Sequence, residues 1–150
     1  MRDSYFPVPV RVRYAETDQM GVVHHSAYPI WFEVARSEFS RATSLSYAQW
    51  EELGVFLMVS ELRCRFRRSA RYGQIVTVWV RVSSVASRKA IFEYRVTAPS
   101  GELLVEGETH HLAVDRSTGH PMMIPAICRE SLLEQPSAER ENPGRNSFTI

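Results

Sequence analysis

The stretch "YAETDQMGVVHHSAYPIWFEVARSEFSRA", from Tyr14 to Ala42, joins a polar loop to an aromatic-rich segment without a break. In its second half, apolar side chains recur at steps of three and four residues: Tyr28, Trp31, Ala35, Phe39 and Ala42. This spacing predicts a helix with a buried face. Ser26 is a possible N-cap, and Pro29 is tolerated only in a first helical turn, so the helix is expected to begin near these two residues.

The predicted helix is apolar around much of its girth. Ile30 and Val34 widen the apolar face. The remaining polar stripe is narrow and consists of Glu33, Arg36, Ser37 and Ser40. Because one face of a sheet covers only one side of a helix, either the sheet wraps around this helix or a second subunit covers the rest.

Strand patterns occur on both sides of the helix. The run "VPVRVRY", residues 8–14, alternates apolar and polar side chains as a half-buried strand does, and Pro9 suggests a sheet edge. After a short helical piece that ends at Gly54, four more strands are predicted between Val55 and Val114. The turn signal "PSG" between the last two indicates an antiparallel hairpin. The sequence therefore predicts an α+β fold with a mostly antiparallel sheet, ordered as strand, helix and meander.

Length and composition indicate one domain, which we assign to residues 1–134, followed by a flexible tail at 135–150. The 18 basic and 17 acidic side chains leave a charge of +1, which argues against bulk nucleic-acid binding. No segment approaches the roughly 20 apolar residues of a membrane span. Cys64 and Cys128 form no Cys-x-x-Cys pair, so a reduced, cytoplasmic protein is expected.

Two pairs of adjacent histidines invite a metal-binding interpretation: His24 with His25, and His110 with His111. Adjacent side chains diverge on a helix or a strand, and no carboxylate stands at ligand spacing from either pair. We therefore expect no metal, and we expect His110 and His111 to be packed or solvent-facing strand residues.

The loop before the helix has the elements of an acyl-transfer site. A helix N-terminus offers free N–H groups and a partial positive charge, which suit a polarised carbonyl oxygen. Asp18 lies upstream, and the turn that Gly21 permits could bring its carboxylate back toward the same carbonyl. On spacing alone, an aspartate in this position is more often a turn or cap residue.

A family resemblance rests on the same residues. "RVRYAETDQMGVVHHSAYPIWFEVARSEF" resembles the 4-hydroxybenzoyl-CoA thioesterase family of hot-dog proteins, with its pattern Y-x-x-T-D-x-x-G-V-V-x-H-x-x-Y-x-x-x-F-E-x-A-R. The resemblance extends from about Val8 to Pro125. It implies a hot-dog fold, in which a five-stranded sheet wraps around one long central helix, and hydrolysis of an acyl-CoA thioester without a metal or redox cofactor.

The resemblance also implies a role for individual residues. Asp18 matches the motif aspartate that attacks the thioester carbonyl or activates water. His25 matches the position whose backbone N–H binds the thioester oxygen, and His24 is a candidate for orienting the loop. The residues expected to approach or line the acyl group are Gly21, Val22, Val23 and Tyr28.

Family members form dimers, often paired into tetramers, so the resemblance implies a homodimer with active sites at the subunit interface. Arg88 and Lys89, at a predicted turn, are the preferred candidates for binding the CoA phosphates. Arg63, Arg65 and Arg67 alternate along one strand and are expected to lie on the solvent-exposed outer face of the sheet.

Glu33 is an alternative catalytic carboxylate, because a related hot-dog group carries a glutamate about two turns after the amide donor. Pairing of Glu33 with Arg36 on the helix surface is the simpler interpretation. Two other functions stay open, a hot-dog hydratase or dehydratase and a non-catalytic acyl-CoA binding module. The identity of the acyl group does not follow from the sequence.

Overall fold

The computed structural model describes residues 4–136 of the chain. Within that range the strands are β1 (Phe6–Arg11), β2 (Val55–Phe66), β3 (Ile75–Val85), β4 (Lys89–Thr97) and β5 (Leu103–Asp115). The helices are α1 (Ala27–Ala42), α2 (Tyr47–Glu52) and α3 (Ala126–Leu132), and a 3₁₀ turn covers Tyr14–Glu16. Of the tail predicted at 135–150, residues 137–150 lie outside the described residues.

The strands form one five-stranded sheet in the order β1-β3-β4-β5-β2, and every neighbouring pair is antiparallel. The α+β class and the four strands after α2 are confirmed. The predicted meander is wrong for β2, which pairs with β5 rather than with β3. β1 already occupies the free edge of β3, so the open edge of β5 is the place left for β2. Pro9 does lie in an edge strand, as predicted.

The core lies between α1 and the inner face of the sheet. Inward-facing side chains alternate along β3, where Val76, Val78 and Val80 are fully buried. The ring of Phe32 on α1 stacks on that of Tyr94 in β4, with centroids 4.2 Å apart. Burial of these apolar side chains is the main favourable contribution to folding.

The predicted buried face of α1 is confirmed at Tyr28, Trp31, Ala35 and Phe39, but its borders differ from the prediction. Arg36 and Ser40, assigned to the polar stripe, are only 8% and 5% exposed, whereas Ile30 is 51% exposed. The burial is possible because both polar side chains have partners inside the fold. The guanidinium of Arg36 donates to the Tyr94 hydroxyl at 3.0 Å, and the Ser40 hydroxyl donates to the carbonyl of Leu45 at 3.3 Å.

β2 forms an edge of the sheet and carries unusual apolar exposure. Eleven of its twelve residues pair with β5 on one side, with an irregularity at Ser60, and no other described strand covers the opposite side. The exposed apolar side chains of this strand are Phe56, Met58, Val59, Leu62 and Phe66. None of the helices between residues 4 and 136 is long and apolar enough to cross a membrane.

Candidate active site

The segment from Thr17 to Val23 folds back on itself in a tight turn. Thr17 and Val23 form an isolated antiparallel bridge, and the Asp18 N–H donates to the carbonyl of Val22 at 2.9 Å. The Gly21 N–H donates to the Asp18 carbonyl at 3.0 Å. Gly21 has a φ of 77°, a conformation that residues with a Cβ rarely adopt. Since no atom of residues 4–136 beyond its own chain neighbours lies within 4 Å of a Cβ built there, the backbone angle is what the fold requires of this glycine.

The returning half of the turn is fixed to the rest of the domain. The Val23 N–H donates to the Ala70 carbonyl at 3.0 Å, and Val22 forms a bridge with Arg71. The hydroxyl of Tyr28, in the first turn of α1, accepts the Ala70 N–H at 3.2 Å. The segment after β2 therefore holds both the loop and the start of the helix.

Glu16 joins the loop to α1 from inside the fold. This side chain is 8% exposed, and its two oxygens accept the Arg13 N–H at 2.8 Å and the indole N–H of Trp31 at 2.6 Å. The Glu16 carbonyl also accepts the His24 N–H at 2.8 Å. One buried residue thus binds both ends of the Asp18 loop and the second turn of the helix.

A cavity of about 280 Å³, the Asp18 cavity, opens beside the loop and the helix start. Five of the predicted residues line it, namely Asp18, Val22, Val23, His25 and Tyr28. The other lining residues are Met20, Phe66, Arg67, Arg68 and Ser69. The structure therefore places the predicted loop and the predicted helix start around one cavity.

Two residues that line this cavity, Asp18 and His25, each carry a polar group without a partner among residues 4–136. One Asp18 carboxylate oxygen, Oδ1, accepts the Met20 N–H at 2.9 Å, whereas Oδ2 has no donor among residues 4–136. The backbone N–H of His25 likewise has no acceptor in that part of the chain. His25 immediately precedes Ser26, the N-cap position of α1, where the helix dipole contributes a partial positive charge. The cavity therefore combines an available carboxylate oxygen with an available amide donor.

The side chains at the helix start differ from the prediction. Ser26 is at the N-cap position, but its hydroxyl makes no cap hydrogen bond. It lies instead 2.7 Å from Nδ1 of His24, which also accepts the Ser26 N–H at 3.1 Å. His24 is exposed and does not line the cavity. No side chain therefore caps the start of α1 by a hydrogen bond.

Other predicted residues lie elsewhere in the single chain. Glu33 is exposed and lines a different cavity, and its expected partner Arg36 is bonded to Tyr94 instead. Arg88 lies in the turn between β3 and β4 and Lys89 begins β4, and neither residue lines the Asp18 cavity.

Two arginines at the mouth were not selected from the sequence. Arg67 and Arg68 line the Asp18 cavity and pair at the surface with Glu106 at 3.0 Å and Glu102 at 3.3 Å. Their position follows from the bridge between Val22 and Arg71, which a sequence pattern does not reveal. The sequence feature that could have indicated these two arginines is the basic run "RCRFRRSAR", residues 63–71.

The histidines of β5 have separate environments. His111 is buried, and desolvation together with the nearby Arg36 charge lowers its pKa to about 4. His110 lies 3.0 Å from Glu108 on the other face. The interpretation of this pair as packed and solvent-facing strand residues is confirmed. No group of three or more potential metal-ligating side chains occurs within residues 4–136.

Comparison with known proteins gives consistent matches to thioesterases. The sequence model of the thioesterase-like superfamily matches residues 12–135. A putative acyl-CoA thioesterase of Bacillus subtilis, YneP, is 31% identical over 115 residues, which cover 77% of this chain and 83% of that protein.

Solved structures agree with this family match. The DHNA-CoA thioesterase of Staphylococcus aureus is 32% identical, with a TM-score of 0.76 and coverage of 79% of this chain and 80% of that one. A hypothetical protein of Thermus thermophilus, TT1821, is 43% identical, with a TM-score of 0.79 and coverage of 84% and 95%. Thus the sequence match and the fold match point to the same group of proteins.

Proposed function

Since the chain belongs to the thioesterase-like superfamily, we propose that it is an acyl-CoA thioesterase, which hydrolyses a thioester to a free acid and CoA. Asp18 is the nucleophile or general base, and the His25 backbone N–H is the donor to the thioester carbonyl oxygen. The observation that carries this assignment is that Asp18 and His25 line one cavity, while Asp18 Oδ2 and the His25 N–H have no partner among residues 4–136.

The reaction needs these two groups for different steps. The His25 amide and the positive end of α1 stabilise the negative charge that develops on the carbonyl oxygen. Asp18 either attacks the carbonyl carbon, forming a mixed anhydride that water then hydrolyses, or takes a proton from the water that attacks. In both routes the C–S bond breaks and CoA leaves as a thiolate, which then takes up a proton.

Replacement of Asp18 by asparagine tests the assignment. Asparagine keeps the size and the Met20 hydrogen bond but removes both the nucleophile and the base. We expect Asp18→Asn to lower kcat by a factor of about 10³ or more, measured as release of free thiol from a panel of short, branched, aromatic and long acyl-CoA thioesters.

Glu33→Gln is the matched comparison, because Glu33 is the alternative carboxylate. A much smaller loss of kcat in Glu33→Gln than in Asp18→Asn supports Asp18 as the catalytic carboxylate. Near-normal turnover by a folded Asp18→Asn protein contradicts the proposal. Intact affinity for acyl-CoA without hydrolysis of any thioester by the wild type would instead indicate a binding module.

The proposal includes a homodimer joined through β2, which can associate further into a tetramer. A long, apolar edge strand is a ready surface for pairing with another chain, and β2 has five exposed apolar side chains. Arg67 and Arg68 at the mouth of the cavity, together with Arg88 and Lys89 from a second copy, are the proposed partners of the CoA phosphates. We further propose a cytoplasmic location, and both described cysteines are free thiols, as a reducing compartment requires.

A further inference from the structure

A chain of hydrogen bonds runs through the interior between α1 and β5. The Arg36 guanidinium donates to the Tyr94 hydroxyl at 3.0 Å, and that hydroxyl lies 2.6 Å from Oγ1 of Thr109. Nε2 of His111 lies 2.8 Å from the same Thr109 oxygen. Tyr94, Thr109 and His111 are each at most 1% exposed. The proposed hydrolysis at Asp18 does not use any of these groups.

The charge at the end of this chain has no direct ion-pair partner among residues 4–136. Arg36 is 8% exposed, and the exposed Glu33, one turn earlier on α1, acts on it only from beyond ion-pair distance. Of its five N–H donors, one makes a hydrogen bond of good geometry in that range, to Tyr94, and the guanidinium also lies close to the Tyr47 hydroxyl. A buried cation without a compensating anion is costly, so such groups are normally paired.

A cavity of about 400 Å³, the Arg36 cavity, opens beside this guanidinium, between α1, α2 and the start of β2. Arg36, His111 and Tyr47 line it, and the walls include the apolar side chains of Trp50 and Phe56. The Tyr47 hydroxyl is buried and makes no hydrogen bond of good geometry, although the Arg36 charge lies close enough to act on it. An acceptor in this cavity would therefore meet several donors that lack partners.

The charges around the cavity differ between its base and its mouth. Burial and the Arg36 charge keep His111 neutral, with a pKa of about 4, so the fixed positive charge at the base is that of Arg36. Glu33 and Glu51 also line the cavity, but both are exposed. A negative group that enters through the mouth would form charge-assisted hydrogen bonds with the desolvated Arg36 guanidinium.

Pairing of β2 with a second copy would connect this cavity to the reaction site. Antiparallel pairing about the middle of the strand sets the beginning of β2 in one protomer against its end in the other. Val55 and Phe56 line the Arg36 cavity, whereas Phe66 lines the Asp18 cavity. In the dimer, the Arg36 cavity of one protomer thus adjoins the Asp18 cavity of the other.

We propose that the Arg36 cavity receives the distal end of the acyl group whose thioester is held at the second copy's Asp18, and that it selects acyl groups ending in a carboxylate. This inference rests on the proposed thioesterase function and on the β2 dimer. The anion would form the direct ion pair that Arg36 lacks among the described residues, with the Tyr47 hydroxyl as a second donor.

Two thioesters of matched shape test the selectivity. Glutaryl-CoA ends in a carboxylate, and 5-oxohexanoyl-CoA has a methyl group in place of one carboxylate oxygen. We expect the wild type to favour glutaryl-CoA in kcat/KM by about tenfold or more, as a charge-assisted contact provides. Arg36→Gln should reduce this ratio to about 1, whereas Arg41→Gln, an exposed arginine of the same helix paired with Glu38, should leave it unchanged.

Binding separates this inference from the proposed reaction. Calorimetric titration of Asp18→Asn with both thioesters should show the same preference for glutaryl-CoA without turnover. If the wild type hydrolyses neither thioester, the affinities of the wild type for the two thioesters test the inference instead. If Arg36→Gln does not fold, Tyr47→Phe, which removes only the hydroxyl, should lower the ratio about threefold. Equal turnover and equal affinity for the two thioesters, or a ratio that folded Arg36→Gln and Tyr47→Phe leave unchanged, overturns the inference.

Discussion

Glu16 shows how a single buried carboxylate can position the reacting loop. Both of its oxygens face donors, the Arg13 N–H and the Trp31 indole N–H. Glutamine would turn an amide N–H₂ toward one of these donors and leave it unsatisfied. Because the Glu16 carbonyl also binds the His24 N–H, that disturbance reaches the segment that places Asp18 and His25.

We expect Glu16→Gln to lower kcat about tenfold or more with a smaller change in KM, because misplacement of a catalytic group affects the chemical step more than CoA binding. Stability should fall by roughly 1–3 kcal/mol. Trp31→Phe removes the same hydrogen bond from the other side and should give the same kinetic pattern, whereas Glu130→Gln, on the exposed side of α3, should give neither effect. Steady-state kinetics well below the unfolding temperature make the comparison, and a normal kcat in folded Glu16→Gln argues against a positioning role.

At the scale of the elements, the close approach of α1 to the sheet depends on Gly107 in β5. A Cβ built at this position would lie 2.5 Å from the ring of Phe32 and 2.9 Å from the carbonyl oxygen of Arg63. A side chain there would push the helix or β2 outward. Gly107 thus lets the aromatic face of α1 pack directly on β4 and β5.

We expect Gly107→Ala to destabilise the domain by about 1–3 kcal/mol, as overpacking of a core does. Urea unfolding followed by circular dichroism measures the loss. Phe32→Leu leaves more room at the same contact, so the double variant should lose less than the sum of the two single variants. If the losses of stability are additive, the strain does not arise at the contact with Phe32 but elsewhere, for example at the Arg63 carbonyl.

The elements that the sequence predicts well are those whose signal is local. The strand alternation through Val78 and Val80, the helix start near Pro29 and the turn at Gly21 depend on neighbours in the chain, and the structure has all three, with α1 beginning at Ala27. The burial of Arg36 could not be predicted in this way, because its partner Tyr94 is 58 residues away. The same holds for the place of β2 beside β5 and for Arg67 and Arg68 at the Asp18 cavity, since all three depend on long-range packing.

For the whole molecule, β2 is the element that most needs a partner. Twelve residues with one unpaired side and exposed apolar side chains would favour aggregation in a monomer. In the proposed dimer, antiparallel pairing with a second copy would satisfy the free backbone groups and bury those side chains. It would also join each Asp18 cavity to the other protomer, so assembly and activity should be lost together.

Negative charges at the centre of β2 should separate the protomers. In an isologous pairing, Val59 and Leu62 lie near the twofold axis, so Val59→Asp/Leu62→Asp sets like charges against each other, which is unfavourable in a desolvated interface. We expect sedimentation velocity to show a dimer or tetramer for the wild type and a monomer for the double variant, with loss of thioester hydrolysis. Leu133→Asp, which charges an exposed apolar position near the end of α3, should retain the dimer and its activity. A double variant with the mass and turnover of the wild type would show that β2 is not the interface, and the connection between the Asp18 and Arg36 cavities would then be lost as well.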